Sequence, residues 1–271
     1  MSQIFDKDLF QNQLSTRWVG RDFEYLTKVD STNSYLKKIP AKQLKHGRVV
    51  IADNQEKGRG QHQKDWLTEP GENLTFTLAL KPNRAEGLTL LTLSCALAVA
   101  KVLQHYCKKT VLLKWPNDIY VDQKKIGGIL TECSFLGPKP EKVLIGIGVN
   151  INQEEFNASS VQEAVSLHQI TGEKFIREEI LANILNRIEQ LYQCWVNRDS
   201  VVHKEISKSL IGFGDWIRLS VDDEIIEGRF KFLGVNEKGE LLVLNEKLEL
   251  NTYSHEQIRI ITGSESISKV R

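Results

Sequence analysis

The chain has 271 residues, of which 41% are hydrophobic and 26% charged, and its formal net charge is +1. This length allows one large domain, or one large and one small domain. A net charge so close to zero excludes attraction of the whole chain to nucleic acid or to an anionic membrane, although a local basic pocket is compatible with it.

The four cysteines stand at positions 95, 107, 133 and 194, with no C-x-x-C pair and no histidine at a zinc-ligand spacing. We therefore expect reduced, buried thiols and no metal site formed by the protein. The N-terminus carries Asp6 and Asp8 and lacks the apolar run of a signal peptide. No window of about 18 residues is uncharged and apolar throughout, so no membrane span is predicted. These features favour a cytoplasmic protein.

Residues 1–22 are polar and weakly patterned, and we interpret them as an N-terminal extension that is too short for a DNA-binding domain of about 50 residues. From Phe23 onward, alternating or short apolar runs predict strands, and Asp30-Ser31-Thr32-Asn33 carries the short side-chain oxygens of a helix N-terminus. A nearly continuous apolar run over 87–107 predicts a buried helix. The strands predicted before residue 151 are 23–26, 49–52, 74–80, 111–113, 119–121, 126–130 and 143–150.

In the second half of the chain, apolar residues recur at steps of four, four, three and four from Ile180 to Trp195, which predicts an amphipathic helix over 177–195. A short helix over 201–210 follows. After Gly212 the segments become short and are separated by glycine and asparagine, which is typical of a small all-β barrel. Its predicted strands are 216–219, 225–233, 241–244 and 258–260. The predicted domains are therefore 1–211 and 212–271.

The first candidate ligand motif is Gly58-Arg59-Gly60. Glycines let backbone amides approach an anion closely, and the arginine offers a planar fork to a carboxylate or phosphate. Taken alone, the motif is more often a charged surface turn, but Gln55, Lys57 and Lys64 add donors and positive charge around it. Trp66 follows, either as the cap of a core edge or as a platform for a flat ligand ring such as adenine.

The second motif is Lys114-Trp115-Pro116-Asn117-Asp118, which follows a buried strand. Ligand groups are often placed at strand ends, and proline fixes the direction in which the chain leaves the strand. The alternative is an ordinary turn, which these residue types also favour. Lys124 and Lys125 come next, either at a solvated hairpin tip or beside an anion. Gly127-Gly128 favours the anion, because glycines inside a strand indicate close backbone approach.

A third motif, Ser31-Thr32-Asn33, can cap a helix with a stabilisation of about 1 kcal/mol and can also present hydroxyl and amide groups to a polar ligand. The two interpretations are compatible. Gly146-Ile147-Gly148 is half of a dinucleotide fingerprint, but Ile151 occupies the position of the third glycine. The sequence contains no P-loop and no G-x-S-x-G elbow. Any nucleotide site must therefore differ from a Rossmann or P-loop site.

In order and spacing over about residues 23–152, these motifs resemble those of the biotin–protein ligases, which are biotin–[acetyl-CoA-carboxylase] synthetases. The most specific part of the match is Lys-Trp-Pro-Asn-Asp followed by Lys-Ile-Gly-Gly-Ile-Leu, whereas Gly-Arg-Gly alone is weak. The resemblance implies an α+β fold, in which a class II aminoacyl-tRNA synthetase-like mixed sheet with helices is joined to a small C-terminal SH3-like β-barrel.

The activity implied by the resemblance has two steps. The carboxylate of biotin attacks the α-phosphorus of MgATP to give biotinyl-5′-AMP and pyrophosphate, and a lysine of biotin carboxyl carrier protein then takes the biotinyl group. Biotin, ATP with Mg²⁺, and the carrier domain are the expected partners, and a homodimer is compatible with the resemblance. Members that repress genes carry an N-terminal DNA-binding domain, so its absence here predicts an enzyme-only type that does not bind nucleic acid.

The resemblance also carries site residues over by position. Arg59, Lys125 and Asp118 would be catalytic. The residues expected around biotin, its carboxylate and the phosphate are Ser31, Thr32, Asn33, Gln55, Gly58, Arg59, Gly60, Gln61, Lys125 and Gly128. Those expected on the nucleotide side are Trp66, Asn117, Lys125 and Asn150.

One position departs from the family pattern. Many members follow Gly-Arg-Gly with a further arginine, where this chain has Gln61-His62-Gln63, so retention of the adenylate is expected to be weaker. Two rival functions stay open, namely a lipoate or octanoate ligase of related fold and a non-catalytic biotin or nucleotide sensor. The Ser-Thr-Asn motif with Gln55 suits a polar ureido ring better than a dithiolane or alkyl chain. The cations Arg59 and Lys125, with Asp118, argue against the sensor.

Overall fold

The computed structural model describes residues 4–61, 65–156, 164–221, 224–254 and 258–261. They form an α+β fold with a mixed sheet, helices packed against it and a second, C-terminal sheet. The helices are α1 (Lys7–Gln13), α2 (Thr32–Lys38), α3 (Leu88–Cys107), α4 (Leu167–Thr171), α5 (Arg177–Val196) and α6 (Ser200–Ser209). The strands of the first sheet are β1 (Phe23–Val29), β2 (Arg48–Gln55), β3 (Leu74–Leu80), β4 (Val111–Lys114), β5 (Asp118–Val121), β6 (Lys124–Leu136) and β7 (Lys139–Val149).

The order across the first sheet is β1-β2-β3-β7-β6-β5-β4. The β1–β2 pair is parallel, with α2 in the crossover between the two strands, and the other described pairs are antiparallel. Strand β3 lies near the middle and is buried along its whole length, which agrees with its apolar sequence. This arrangement brings the start of α2 next to β3, β6 and β7.

The core lies between the first sheet and helices α3 and α5, which pack on each other. Helix α3 is long and apolar enough to cross a membrane by length and composition, but 67% of its apolar window is buried inside the protein. Its apolarity is therefore that of a central core helix, as the sequence predicts. The apolar stripe predicted on α5 is also buried.

Residues 4–22 pack into the core, which their weak patterning did not indicate. Phe5 and Phe10 are buried, and the backbone amides of residues 17–19 donate to the Glu189 carboxylate on α5. Helix α1 is only seven residues long and Phe10 is its one buried residue. Two helical turns with a single buried side chain show no measurable periodicity.

The C-terminal sheet contains β8 (Trp216–Val221), β9 (Glu224–Ile225), β10 (Phe230–Val235), β11 (Leu241–Asn245), β12 (Leu250–Tyr253) and β13 (Ile258–Ile261). Its order is β12-β11-β10-β8-β13, with β9 paired to β8, and the described pairs are antiparallel. The prediction of one strand over 225–233 is wrong, because Gly228 turns the chain with φ at 93° between β9 and β10. Strand β12 and helix α4 were not predicted.

The four cysteines are free thiols, but they are not all buried. Cys95 and Cys107 are buried and Cys194 is partly buried, whereas Cys133 is exposed. The expectation of burial is therefore wrong for Cys133. The reason is that β6 and β7 continue as a hairpin well past the predicted strand ends, and Cys133 lies on that extension.

Candidate active site

The predicted site residues gather around one pocket of about 990 Å³, which is large enough for ligands of drug size. Its walls come from the start of α2, the end of β2 and the loop after it, the turn between β4 and β5, and strands β6 and β7. Every predicted site residue lines it except Gly58. Gly58 lies behind the wall, where a Cβ would stand 2.3 Å from the carbonyl oxygen of Trp66. The loop can therefore close on itself only with glycine at this position.

The first turn of α2 presents a buried polar wall to the pocket. Ser31 is the N-cap of the helix, which confirms the predicted cap. Thr32 donates through its amide (2.8 Å) and its hydroxyl (3.1 Å) to Gln55 Oε1. The Thr77 hydroxyl, on β3, lies 2.7 Å from the Thr32 hydroxyl and donates to Asn33 Oδ1 at 2.6 Å. These bonds hold the wall in one conformation before any ligand arrives.

Arg59 is tied to a carboxylate that the sequence did not single out. Its Nη2 donates to Ser34 Oγ at 3.0 Å and lies 3.4 Å from Glu132 Oε2. Glu132 also accepts from Asn33 Nδ2 at 2.9 Å and from Lys37 Nζ at 3.2 Å. Burial by itself would raise the pKa of Glu132, but the bonds from Asn33 and Lys37 and the charge of Arg59 hold that pKa below its ordinary value. Glu132 is therefore an anion facing Arg59.

Lys125 forms a second ion pair in the same pocket. Its Nζ lies 2.7 Å from Asp118 Oδ1, and the two side chains are only 29% and 24% exposed. Asp118 pairs with Gly128 across the β5–β6 hairpin, next to a bulge of the kind that redirects side chains. A Cβ at Gly128 would stand 3.1 Å from Asp118 Oδ1 and 3.2 Å from Lys125 Cε. The close approach predicted at the glycine pair is thus made by the ion pair itself.

Trp66 lies flat against strand β7. A Cβ at Gly148 would stand 2.3 Å from the Trp66 ring, and a Cβ at Gly146 would stand 2.5 Å from Asn33 Oδ1. The Gly146-Ile147-Gly148 motif therefore provides room for two pocket side chains. The ammonium of Lys125 lies 5.8 Å from the centre of the Trp66 ring. The buried Trp66 Nε1 has no hydrogen-bond acceptor among the residues that the structure describes.

Asn117 and Asn150 are buried in the pocket wall, and each amide donates a hydrogen bond within that wall. Asn117 Nδ2 donates to the carbonyl of Ile129 at 2.7 Å, and Asn150 Nδ2 donates to that of Val165 at 3.1 Å. Both side chains therefore hold pocket strands or loops together. In a role toward a nucleotide, as the sequence suggests, each amide would use its second N–H or its carbonyl oxygen.

Two groups of residues at or behind the pocket were not found from the sequence. Thr77 and Glu132 do not line the pocket but are hydrogen-bonded to Asn33 in its wall. Arg218 and Arg259 reach the pocket from the C-terminal sheet. The alternation of threonines with apolar residues in 74–80 was a usable signal for Thr77. His62, Gln63 and Lys64 lie outside the described residues. Within the described ranges, no three His, Cys, Asp or Glu side chains come together as a metal site.

The chain is similar in sequence and fold to known proteins. A model of the biotin/lipoate A/B protein ligase family matches residues 25–150. The bifunctional ligase/repressor BirA of Bacillus spizizenii is 30% identical over 245 residues, covering 89% of this chain and 75% of BirA. The biotin–[acetyl-CoA-carboxylase] ligase of Paracoccus denitrificans is 37% identical over 129 residues, covering 46% of this chain and 53% of that protein. A biotin protein ligase from Aquifex aeolicus, solved with biotin and ATP, is 30% identical with a TM-score of 0.77, covering 89% of this chain and 99% of that one.

Proposed function

Because the chain belongs to the biotin/lipoate A/B protein ligase family, we propose that it is a biotin–protein ligase. It uses ATP to activate biotin as biotinyl-5′-AMP and transfers the biotinyl group to a lysine of a carrier protein. The observation that carries this function is its similarity, over nearly its whole length, to a biotin protein ligase that was solved with biotin and ATP. The pocket chemistry supports the same function independently.

Biotin is a polar ring with an acidic tail, and the two ends need different partners. The ureido group has one carbonyl and two N–H groups, which must be satisfied when they are buried. The wall formed by Ser31, Thr32, Asn33 and Gln55 supplies hydroxyl and amide groups in fixed orientations. A dithiolane or alkyl chain offers no hydrogen-bonding groups to this polar wall, which disfavours lipoate or octanoate as the substrate.

The first chemical step joins two anions. The carboxylate oxygen of biotin attacks the α-phosphorus of ATP, and the bond to pyrophosphate breaks. A positive charge about 4 Å from an anion is worth roughly 4 kcal/mol at an effective dielectric constant near 20. Arg59 and Lys125 provide such charges, and Glu132 and Asp118 hold them oriented before the substrates arrive. Mg²⁺ enters as MgATP, with the phosphate oxygens as its main ligands.

The second step forms an amide bond. The amine of an acceptor lysine attacks the acyl carbon of the adenylate, and AMP leaves with the bonding electrons. A lysine has a reference pKa of about 10.4, so its ammonium must lose a proton before it attacks. Asp118 is suited to orient that ammonium and to accept its hydrogen bonds. The carrier domain of acetyl-CoA carboxylase is the acceptor that the similarity to the Paracoccus ligase supports.

The proposed function also includes a division into domains, a localisation and an assembly. Residues 1–211 are the catalytic domain, with a sheet of the class II aminoacyl-tRNA synthetase type, and residues 212–271 are an SH3-like barrel. The α+β architecture and the antiparallel C-terminal sheet support both. Four free cysteines support a cytoplasmic enzyme. A homodimer is the proposed assembly, and nucleic acid is not among the proposed partners.

The function is tested by transfer of labelled biotin, with MgATP, to a carrier domain. We expect label on the carrier, and none on a carrier whose acceptor lysine is replaced by arginine. Exchange of pyrophosphate into ATP should require biotin. Exchange supported by lipoate but not by biotin would identify a lipoate ligase, and the absence of exchange with either acid would indicate a sensor.

Trp66→Ala should weaken binding of ATP by about 10-fold while changing that of biotin by less than about 2-fold, because stacking of one base on an aromatic ring is worth about 1–3 kcal/mol. Calorimetry with each ligand measures both constants. Trp216→Ala is the matched control, since Trp216 is exposed on β8 and outside the pocket. Equal losses for the two ligands at Trp66→Ala would contradict the stacking role.

Gln61→Arg should slow release of the adenylate by about 10-fold, because a charged hydrogen bond to its phosphate is stronger than a neutral one. Rapid filtration of enzyme loaded with labelled biotinyl-AMP measures the release rate. Gln61→Met is the control, because it has similar size and no charge. A release rate that is the same in both variants would show that the missing arginine does not limit retention.

A further inference from the structure

Glu132 contacts two elements that line the pocket, helix α2 and the loop after β2, although it does not line the pocket itself. It lies on β6 and accepts from Asn33 in the first turn of α2 and from Lys37 in its last turn. It also pairs with Arg59 from the loop after β2. Its side chain is only 21% exposed. No motif in the sequence pointed to it, and neither step of the proposed reaction needs it as a reactant.

Two of the contacts of this carboxylate, with Asn33 and with Arg59, differ in strength. The bond from Asn33 is short, at 2.9 Å, and Asn33 is 3% exposed. The contact with Arg59 is long, at 3.4 Å, and the Arg59 side chain is 42% exposed. Exposed ion pairs contribute little and are easily exchanged, whereas hydrogen bonds to a buried charge contribute more. Glu132 should therefore hold Asn33 firmly and Arg59 loosely.

The carboxylate also decides which way the Asn33 amide faces. An ionised carboxylate can only accept hydrogen bonds, so the NH₂ group of Asn33 must point toward Glu132. The Asn33 Nδ2 donates in addition to the carbonyl of Leu130 at 3.3 Å, and the Oδ1 accepts from Thr77. Without the carboxylate, only these two bonds would set the orientation of the amide.

We propose that Glu132 is a positioning residue for biotin, because its carboxylate fixes the orientation of the Asn33 amide in the pocket while it keeps Arg59 docked for the substrate carboxylate. The inference rests on the proposed function, since it takes biotin as the ligand that Asn33 faces. Arg59 can leave its long contact with Glu132 for an arriving anion, whereas Asn33 stays in place. Loss of the carboxylate should therefore affect biotin much more than ATP.

The test is Glu132→Gln, which keeps the size of the side chain and removes its charge. We expect the Kd for biotin, from calorimetry on the full chain, to rise about 10-fold, while the KM for ATP changes by less than about 3-fold. The melting temperature should stay within about 2 °C of the wild type. Glu141→Gln is the matched control, because Glu141 is exposed on the paired strand β7 and lies outside the pocket.

A double-mutant cycle that combines Glu132→Gln with Asn33→Ala shows whether Glu132 positions Asn33 or has only a general structural role. If Glu132 acts through Asn33, adding Glu132→Gln to Asn33→Ala should raise the Kd for biotin by less than about 3-fold further. Equal losses for biotin and ATP, effects that multiply in full, or a Kd unchanged by Glu132→Gln would each overturn the proposal. Should Glu132→Gln fold poorly, Glu132→Asp tests the same contacts, because it keeps the charge but shortens the side chain by one carbon, and the same biotin-selective loss is expected. A Kd for biotin that is unchanged in Glu132→Asp would also overturn the proposal.

The measurements distinguish an error in the proposed ligase function from an error in the proposed role of Glu132. If the wild type and Glu141→Gln bind biotin but form no adenylate, the ligase function is wrong, and the effect of Glu132→Gln on the Kd can still be measured. If both form the adenylate and Glu132→Gln binds biotin normally, only the role of Glu132 is wrong.

Discussion

Lys125→Ala should slow formation of biotinyl-AMP by about 100-fold, the scale for loss of one preorganised charged donor. The Lys125 ammonium is partly buried, held by Asp118 at 2.7 Å, and faces the pocket that also contains Arg59. No enzyme nucleophile takes part in the step, so the rate depends on the position of the substrates and on compensation of their repulsion. Single-turnover mixing of enzyme, biotin and labelled MgATP measures the rate directly.

The neighbouring lysine is the control for this variant. Lys124 is exposed in the same hairpin and lies outside the pocket, so Lys124→Ala should leave the rate within about 2-fold of the wild type. Asp118→Asn gives a further test, because it keeps the shape of the side chain and frees the ammonium from its ion pair. A Lys125→Ala enzyme that forms the adenylate near the wild-type rate would remove Lys125 from the catalytic centre.

The presence of Arg59 and Lys125 in the pocket could be expected from the sequence, but not both of their carboxylate partners could be. Gly58-Arg59-Gly60 and Gly127-Gly128 have local signatures, because glycine is needed where backbone or side chains approach closely. Asp118 precedes Lys125 by only seven residues in the chain. Glu132, in contrast, is 73 residues from Arg59 and 99 from Asn33. Only the antiparallel pairing of β6 with β7, and the packing of α2 on that sheet, brings them together.

In the secondary structure, too, elements with a local sequence pattern could be predicted, and those without one could not. Helices α3 and α5 were predicted to within a residue or two, because α3 carries a long apolar run and α5 an apolar stripe that repeats over five turns. Helix α1 is too short for a repeat to show. The contribution of Arg218 and Arg259 to the pocket depends on how the C-terminal sheet docks, which no local pattern encodes.

A buried ion pair between Arg177 and Asp53 should contribute strongly to the stability of the fold. Arg177, at the start of α5, donates to Asp53 Oδ1 at 2.8 Å, and the two side chains are 4% and 14% exposed. Tyr25 donates to the other oxygen of the same carboxylate. Burial, and then the hydrogen bond to Asp53 and its charge, raise the pKa of Tyr25 to about 12. The cluster joins β1, β2 and α5. Its carboxylate, Asp53, lies two residues before the pocket residue Gln55 in β2.

Asp53→Asn should lower the free energy of unfolding by about 3 kcal/mol, because it leaves the buried Arg177 guanidinium without this carboxylate. Urea denaturation at pH 7 measures the change. Glu246→Gln is the control, since Glu246 and its partner Arg229 are both more than half exposed, and it should change stability by less than about 1 kcal/mol. Adding Arg177→Met to Asp53→Asn should restore about 1 kcal/mol, because the buried charge is then gone. If the destabilisations by Asp53→Asn and Arg177→Met were additive in the double variant, the stabilising role of this ion pair would be contradicted.

The pH dependence gives a second readout of the same cluster. The pKa of Tyr25 in the folded protein, about 12, lies above its ordinary value of about 10. The protonated hydroxyl therefore contributes its stability in full below about pH 10, and this contribution is lost as the pH rises toward about 12. In Asp53→Asn the hydrogen bond to a charged acceptor and the repulsive charge are both absent, so Tyr25 should titrate at lower pH than in the wild type. Ultraviolet titration of the folded protein follows the phenol, and an unchanged tyrosine titration in the variant would show that Asp53 does not hold its proton.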